Sequence, residues 1–97
     1  MASIASPAEV LKIIDYSLKG DFAKAKSLLL KTMLDNGLSG IDVIKQIQKQ
    51  VWKSSASDNV KLEMIKACGE IEFRLVEGSD EFIQLEALLA WFSFLGE

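Results

Sequence analysis

A chain of 97 residues allows one small domain, and 49% apolar against 26% charged residues is the balance of a soluble globular protein. A net charge of −3 argues against a surface built mainly for nucleic-acid phosphates. There is no histidine, hence neither the commonest general base nor the commonest nitrogen ligand, and the lone Cys68 cannot close an internal disulfide.

Between the glycines and the single proline, apolar residues recur at helical spacing, and no alternating strand pattern is present. The start, "MASIASPAEV", lacks the basic region and continuous apolar core of a signal peptide. Ser6-Pro7-Ala8-Glu9 then predicts a helix opening: Ser6 as cap, Pro7 at the first helical position, Glu9 completing a capping box. Val10, Leu11, Ile13, Ile14 and Leu18 line the inner side of this first helix, and Gly20 ends it. Asp21 caps a second helix bearing Phe22, Ala25, Leu28, Leu29 and Met33, stopped at Asn36-Gly37. Ser39 with Asp42 marks a third, whose Ile41, Ile44, Ile47, Val51 and Trp52 are expected inside. After the loop "SSASD" at 54–58, with Ser57 or Asp58 as cap, a fourth helix runs to Glu77 and closes at Gly78.

The fourth helix carries two apolar stripes. At about 100° per residue, Val60, Met64, Ala67, Cys68, Ile71 and Leu75 share one side. Leu62, Ile65, Phe73 and Val76 gather nearly opposite, which predicts a helix sandwiched between layers, with Gly69 on the second stripe permitting either close approach or a local kink. The fifth helix, "EFIQLEALLAWFSFLG" at 81–96, capped by Ser79 or Asp80, is apolar almost all round. Phe82, Leu85, Leu88, Leu89 and Phe92 form one stripe; Ile83, Ala87, Ala90, Trp91, Phe94 and Leu95 form another. A bundle of this size covers the first stripe readily and the second with difficulty. A broad exposed apolar face marks a contact surface, so the second stripe is expected to meet a partner.

No catalytic constellation, cofactor motif or metal-ligand spacing is present. The phosphate-cradling G-x-x-x-x-G-K-[ST] and the dinucleotide G-x-G-x-x-G patterns are both absent. Cys68 reads as a small core residue, and Glu70 as one half of a surface ion pair with Arg74 one turn on. Lys45, Lys49 and Lys53 make a basic ridge along the third helix beside Trp52. A solvated helix face is one reading of that ridge; a weak DNA contact is the other.

Three stretches, "LKGDFAKAKSLLLKTMLDNGLSGIDVIKQI", "GEIEFRLVEG" and "EFIQLEALLAWF", are similar in order and spacing to the C-terminal domain of replication factor C small subunits, with archaeal versions nearest. The resemblance runs from about Ser6 to Leu95. It implies an all-α, five-helix collar domain that packs beside copies from neighbouring subunits of a clamp loader. In that family an ATPase module of the AAA+ type precedes the collar and carries ATP hydrolysis, sliding-clamp binding and most DNA contacts. None of its motifs occurs in this chain, so residues 1–97 are expected to form a single non-catalytic collar.

Two functions are therefore carried forward. The first is an oligomerisation module with Ile83, Ala87, Trp91, Phe94 and Leu95 at the subunit interface and other clamp-loader subunits as partners. The second is a helical nucleic-acid-binding domain using Lys45, Lys49 and Lys53. Neither needs a cofactor or a membrane, and the resemblance implies a cytoplasmic setting in archaea or a nuclear one in eukaryotes.

Overall fold

The structure, a computed structural model, describes residues 5–97. Five helices follow in order: α1 (Pro7–Leu18), α2 (Phe22–Asn36), α3 (Gly40–Gln50), α4 (Asp58–Val76) and α5 (Glu81–Leu95). A 3₁₀ turn, Val51–Lys53, continues directly from α3, and no strand occurs among the described residues. The fold is an all-α five-helix bundle.

Side chains set the helix starts. Asp21 accepts from the Lys24 N–H at 3.3 Å, Ser57 from the Val60 N–H at 3.4 Å, and Asp80 from the Ile83 N–H at 3.0 Å. At α3 a complete capping box forms: the Asp42 N–H donates to Ser39 Oγ at 3.3 Å, and the Ser39 N–H donates to Asp42 Oδ2 at 3.1 Å. The Ser39 backbone N–H and then its hydroxyl hold the Asp42 carboxyl below the usual aspartate range. The box expected on α1 is not made. Ser6 gives no side-chain cap, and the Glu9 carboxylate instead accepts from Thr32 Oγ1 at 3.0 Å, tying α1 to α2. Gly20, Gly37 and Gly78 end α1, α2 and α4 with left-handed φ of 83°, 61° and 99°.

The centre of the bundle is α5, which packs against all four other helices. Its Leu85, Leu88, Leu89 and Phe92 are sealed together with Ile13 and Ile14 of α1, Leu29 of α2, Ile44 and Ile47 of α3, and Met64 and Ile71 of α4. Both ends of α5 are tied down. At its N-terminus Glu81 Oε1 accepts from the Gly40 N–H of α3. At its C-terminus Gly96 lies so near α1 that a β-carbon there would collide with the Leu18 backbone.

The sandwiched place expected for α4 is not observed. Its Met64–Ala67–Cys68–Ile71 side is buried, but Phe73 and Val76 on the opposite side are 58% and 63% exposed. Its substantial contacts are with α3, α5 and the 3₁₀ turn, which leaves the outer side without a neighbour. Gly69 faces a surface groove beside α3, where an added β-carbon meets no atom within 4 Å, so the close approach expected there does not occur within the bundle. Trp52 also departs from expectation. The 3₁₀ turn advances about 120° per residue instead of about 100°, and Trp52 swings outward while Val51 stays buried. Lys61 then covers the indole, its Nζ 5.6 Å from the ring centroid and 3.0 Å from the Trp52 carbonyl oxygen to which it donates.

Two stability measurements check these assignments. Gly69→Ala should raise the free energy of unfolding by roughly 0.5–1 kcal/mol, since it improves helix propensity at an open position. Ser39→Ala should lower it by about 1 kcal/mol through loss of the α3 cap. Because the Asp42 carboxyl is depressed, its support is present above the ordinary value of 3.8 and lost as pH falls through the lower native value. Urea unfolding of Asp42→Asn should accordingly show a shallower loss of stability on acidification than the parent chain.

Candidate subunit interface

A helix tied at both ends and filled on its inner side still has an outer side. On α5 that side carries Ile83, Ala87 and Phe94, spaced four and seven residues apart and therefore on one face. Ile83 is 64% and Phe94 72% exposed. The expected interface residues Trp91 and Leu95 stand differently: both are half-buried and pack on the core, with only part of each side chain on the outer surface. Phe82, assigned by spacing to the inner stripe, is also largely exposed. The second stripe thus divides into three residues in solvent, Ile83, Ala87 and Phe94, and three at its margin, Ala90, Trp91 and Leu95.

The neighbouring helix lengthens the apolar surface. α4 and α5 are joined by the short connection 77–80, and Arg74 Nη1 donates to Gln84 Oε1 at 3.5 Å between them. Leu62, Phe73 and Val76 on α4 face solvent as well. Two of the charged groups alongside form exposed ion pairs, Glu70 with Arg74 at 3.4 Å and, on the α2 side, Glu86 with Lys26 at 3.3 Å. Such pairs contribute little to stability but leave apolar side chains as the main feature of the face. The outer residues of α4 were legible as an apolar stripe, and their exposure was missed because periodicity does not say which stripe is covered.

The three lysines of the ridge do not form one site. Lys45 and Lys49 of α3 stand at the rim of a groove of about 460 Å³ between α3 and α4, whereas Lys53 lies beyond it on the 3₁₀ turn. Ile44, Ile65, Cys68 and Gly69 line the groove, and Glu72 faces it from α4. Burial pushes the Cys68 thiol up to about 12, so it stays protonated and the groove floor remains uncharged at neutral pH. That thiol has no poised base beside it and no nucleophilic character. Among the described residues, no three His, Cys, Asp or Glu side chains gather as metal ligands, and no helix is long and apolar enough to cross a membrane.

Comparison with known proteins finds one family along most of the chain. The family model for the replication factor C C-terminal domain matches residues 5–91. The replication factor C small subunit of Staphylothermus marinus is 40% identical over 99 aligned positions, covering all of this chain and 30% of that protein. That of Aeropyrum pernix is 41% identical over 97 positions, covering 98% of this chain and 30% of its own length. That of Pyrococcus furiosus is 42% identical over 97 positions, with all of this chain aligned to 11% of that protein. The chain spans about 30% of the length of the first two relatives. Five helices in this order, matched by the family model along most of their length, place the chain in the replication factor C C-terminal domain family.

Proposed function

We propose that this chain is an assembly module: it holds clamp-loader small subunits side by side by burying the outer side of α5, and performs no chemistry of its own. The observation that carries this reading is the pair Ile83 and Phe94, both more than half exposed on a helix whose other side is already the core. Each large apolar side chain left in water forgoes about 1.5–3 kcal/mol of burial. A partner that covers Ile83, Ala87, Phe94 and the exposed margins of Trp91 and Leu95 recovers much of that. The relatives' name, small subunit, supports partners of the same kind. In this reading ATP hydrolysis and contact with the clamp belong to the portion of the relatives that this chain does not align to. The archaeal relatives support a cytoplasmic setting.

Nothing in the family match favours DNA contact, and the lysine ridge is divided between a groove rim and a separate turn. Assembly is the better reading.

Ile83→Glu and Phe94→Glu should each shift the chain toward monomer in sedimentation equilibrium while leaving the helical circular dichroism unchanged. An unchanged mass over the whole concentration range for both variants would overturn the assignment. Trp91→Glu is a poorer probe, because Trp91 packs on the core and its replacement should lower stability as well.

A further inference from the structure

The outer side of α4 carries apolar residues that no helix of the bundle covers. Leu62, Ile65, Gly69, Phe73 and Val76 stand three or four residues apart and so line one side over about 21 Å. Leu62, Phe73 and Val76 are exposed, and Ile65 is half-buried at the edge of the groove between α3 and α4. We propose that this groove and the stripe beside it form a docking surface for an amphipathic helix of a different protein, acidic along one flank. The surface is built from α3 and α4 alone, so the proposal is independent of the assembly reading.

Gly69 is its central residue. A glycine in mid-helix weakens the helix, and nothing inside the protomer requires this one: a β-carbon there meets no atom within 4 Å. The space it leaves belongs to a groove of about 460 Å³ floored by Ile44, Ile65 and Cys68, and admits one large apolar side chain of a guest. Apolar residues continue past both ends of the groove, to Leu62 one way and to Val76 the other. A small molecule held in the groove would leave those ends bare, whereas a helix of about four turns spans them.

Charge sets the chemistry of the guest. Lys45 and Lys49 stand one turn apart at the α3 rim, and among the described residues neither is within ion-pair distance of a carboxylate. Asp42, the one carboxylate of α3, is committed to Ser39. The two lysines therefore call for carboxylates one turn apart on the near flank of the guest. Toward α5 the charges of α4 are already answered, Glu63 by Lys66 at 3.5 Å and Glu70 by Arg74 at 3.4 Å, so selection comes from the α3 side. Glu72 lines the groove from α4. A nucleic acid, anionic throughout, would meet that carboxylate; a helix acidic on its α3 flank alone need not. A second copy of this chain is also a poor guest, because the carboxylates of its α5 are spent. Glu86 is paired with Lys26, while Glu81 and Asp80 accept backbone N–H groups at the end of α5 away from Phe94.

Fluorescence anisotropy with a designed probe tests this. The probe is an end-capped helical peptide of about 18 residues, with leucines three and four residues apart, a central phenylalanine and two glutamates one turn apart along one flank. A twin peptide carries lysines in place of the glutamates. The parent chain should bind the acidic peptide at least roughly tenfold more tightly than the twin, and added salt should narrow that gap. Lys45→Glu combined with Lys49→Glu should reverse the preference, which a loss of folding cannot do. Gly69→Leu, which fills the groove without changing charge, should abolish binding of both peptides at unchanged helical circular dichroism. Equal affinity for the two peptides, binding of neither, or a Gly69→Leu variant that binds as the parent does overturns the proposal. Tighter binding of an oligonucleotide than of the acidic peptide through the same two lysines does so too. Sedimentation equilibrium of the parent chain should give the same association with and without saturating peptide. If the peptide, or the double lysine variant, dissolves that association, the groove serves a second copy and the proposal falls.

Discussion

Large apolar side chains occupy nearly every side of α5, and only four other helices are available to cover them. Helices pack roughly 8–10 Å apart, so about six neighbours of equal width are needed to ring one completely. Four cannot do it. The bundle resolves this by turning Leu85, Leu88, Leu89 and Phe92 inward and leaving Ile83, Ala87 and Phe94 outward. Because Glu81 binds the start of α3 and Gly96 abuts Leu18, the helix cannot rotate to hide the second set without breaking contacts at both ends. The exposed strip is thus a consequence of how the core is filled.

The same constraint explains where the chemistry is not. The side chains that would draw attention in an enzyme are each absorbed by structure. Cys68 is part of the packed side of α4, Glu9 is bonded to Thr32, Glu81 to the backbone of Gly40, and Glu70 to Arg74 on the surface. What remains is apolar surface and unevenly placed charge, with Lys45 and Lys49 on the later turns of α3 and carboxylates without a lysine or arginine after residue 76.

Much of this was legible in the sequence, and the exceptions have physical causes. Asp21, Ser39 with Asp42, Ser57 and Asp80 could be recognised as caps because their partners lie within three residues. Ser6 and Glu9 misled because Glu9 is claimed by Thr32, 23 residues away, and local spacing carries no trace of that competitor. Trp52 misled because a 3₁₀ turn changes the angular step just where the helical wheel was extended through it. The two stripes of α4 and α5 were visible, but a wheel reports which residues share a side and not how many neighbours arrive to cover it. So α4 was expected at the centre and α5 took that place. Ile83 and Phe94 of the second stripe are exposed, while the half-burial of Trp91 and Leu95 against the core is not written in the helical spacing.

Trp91 and Leu95 would also link the fold to the proposed assembly. Each has one part packed on the core and another part on the surface beside Ile83 and Phe94. A partner seated on that surface would complete the burial of the same side chains that help hold α5 in place. Binding of this kind stabilises the folded protomer by RT ln(1 + [L]/Kd), about 2.7 kcal/mol when the partner stands at a hundred times its dissociation constant. That is a large share of the stability of a domain this small. Substitutions along α5 therefore sort by depth. In the proposed assembly, those at Leu88 or Phe92 would act on the protomer and through it on association, while those at Ile83 or Phe94 would act on association and only through it on the protomer. At Trp91 the two effects would be inseparable, because a single indole would belong to both the core and the proposed contact.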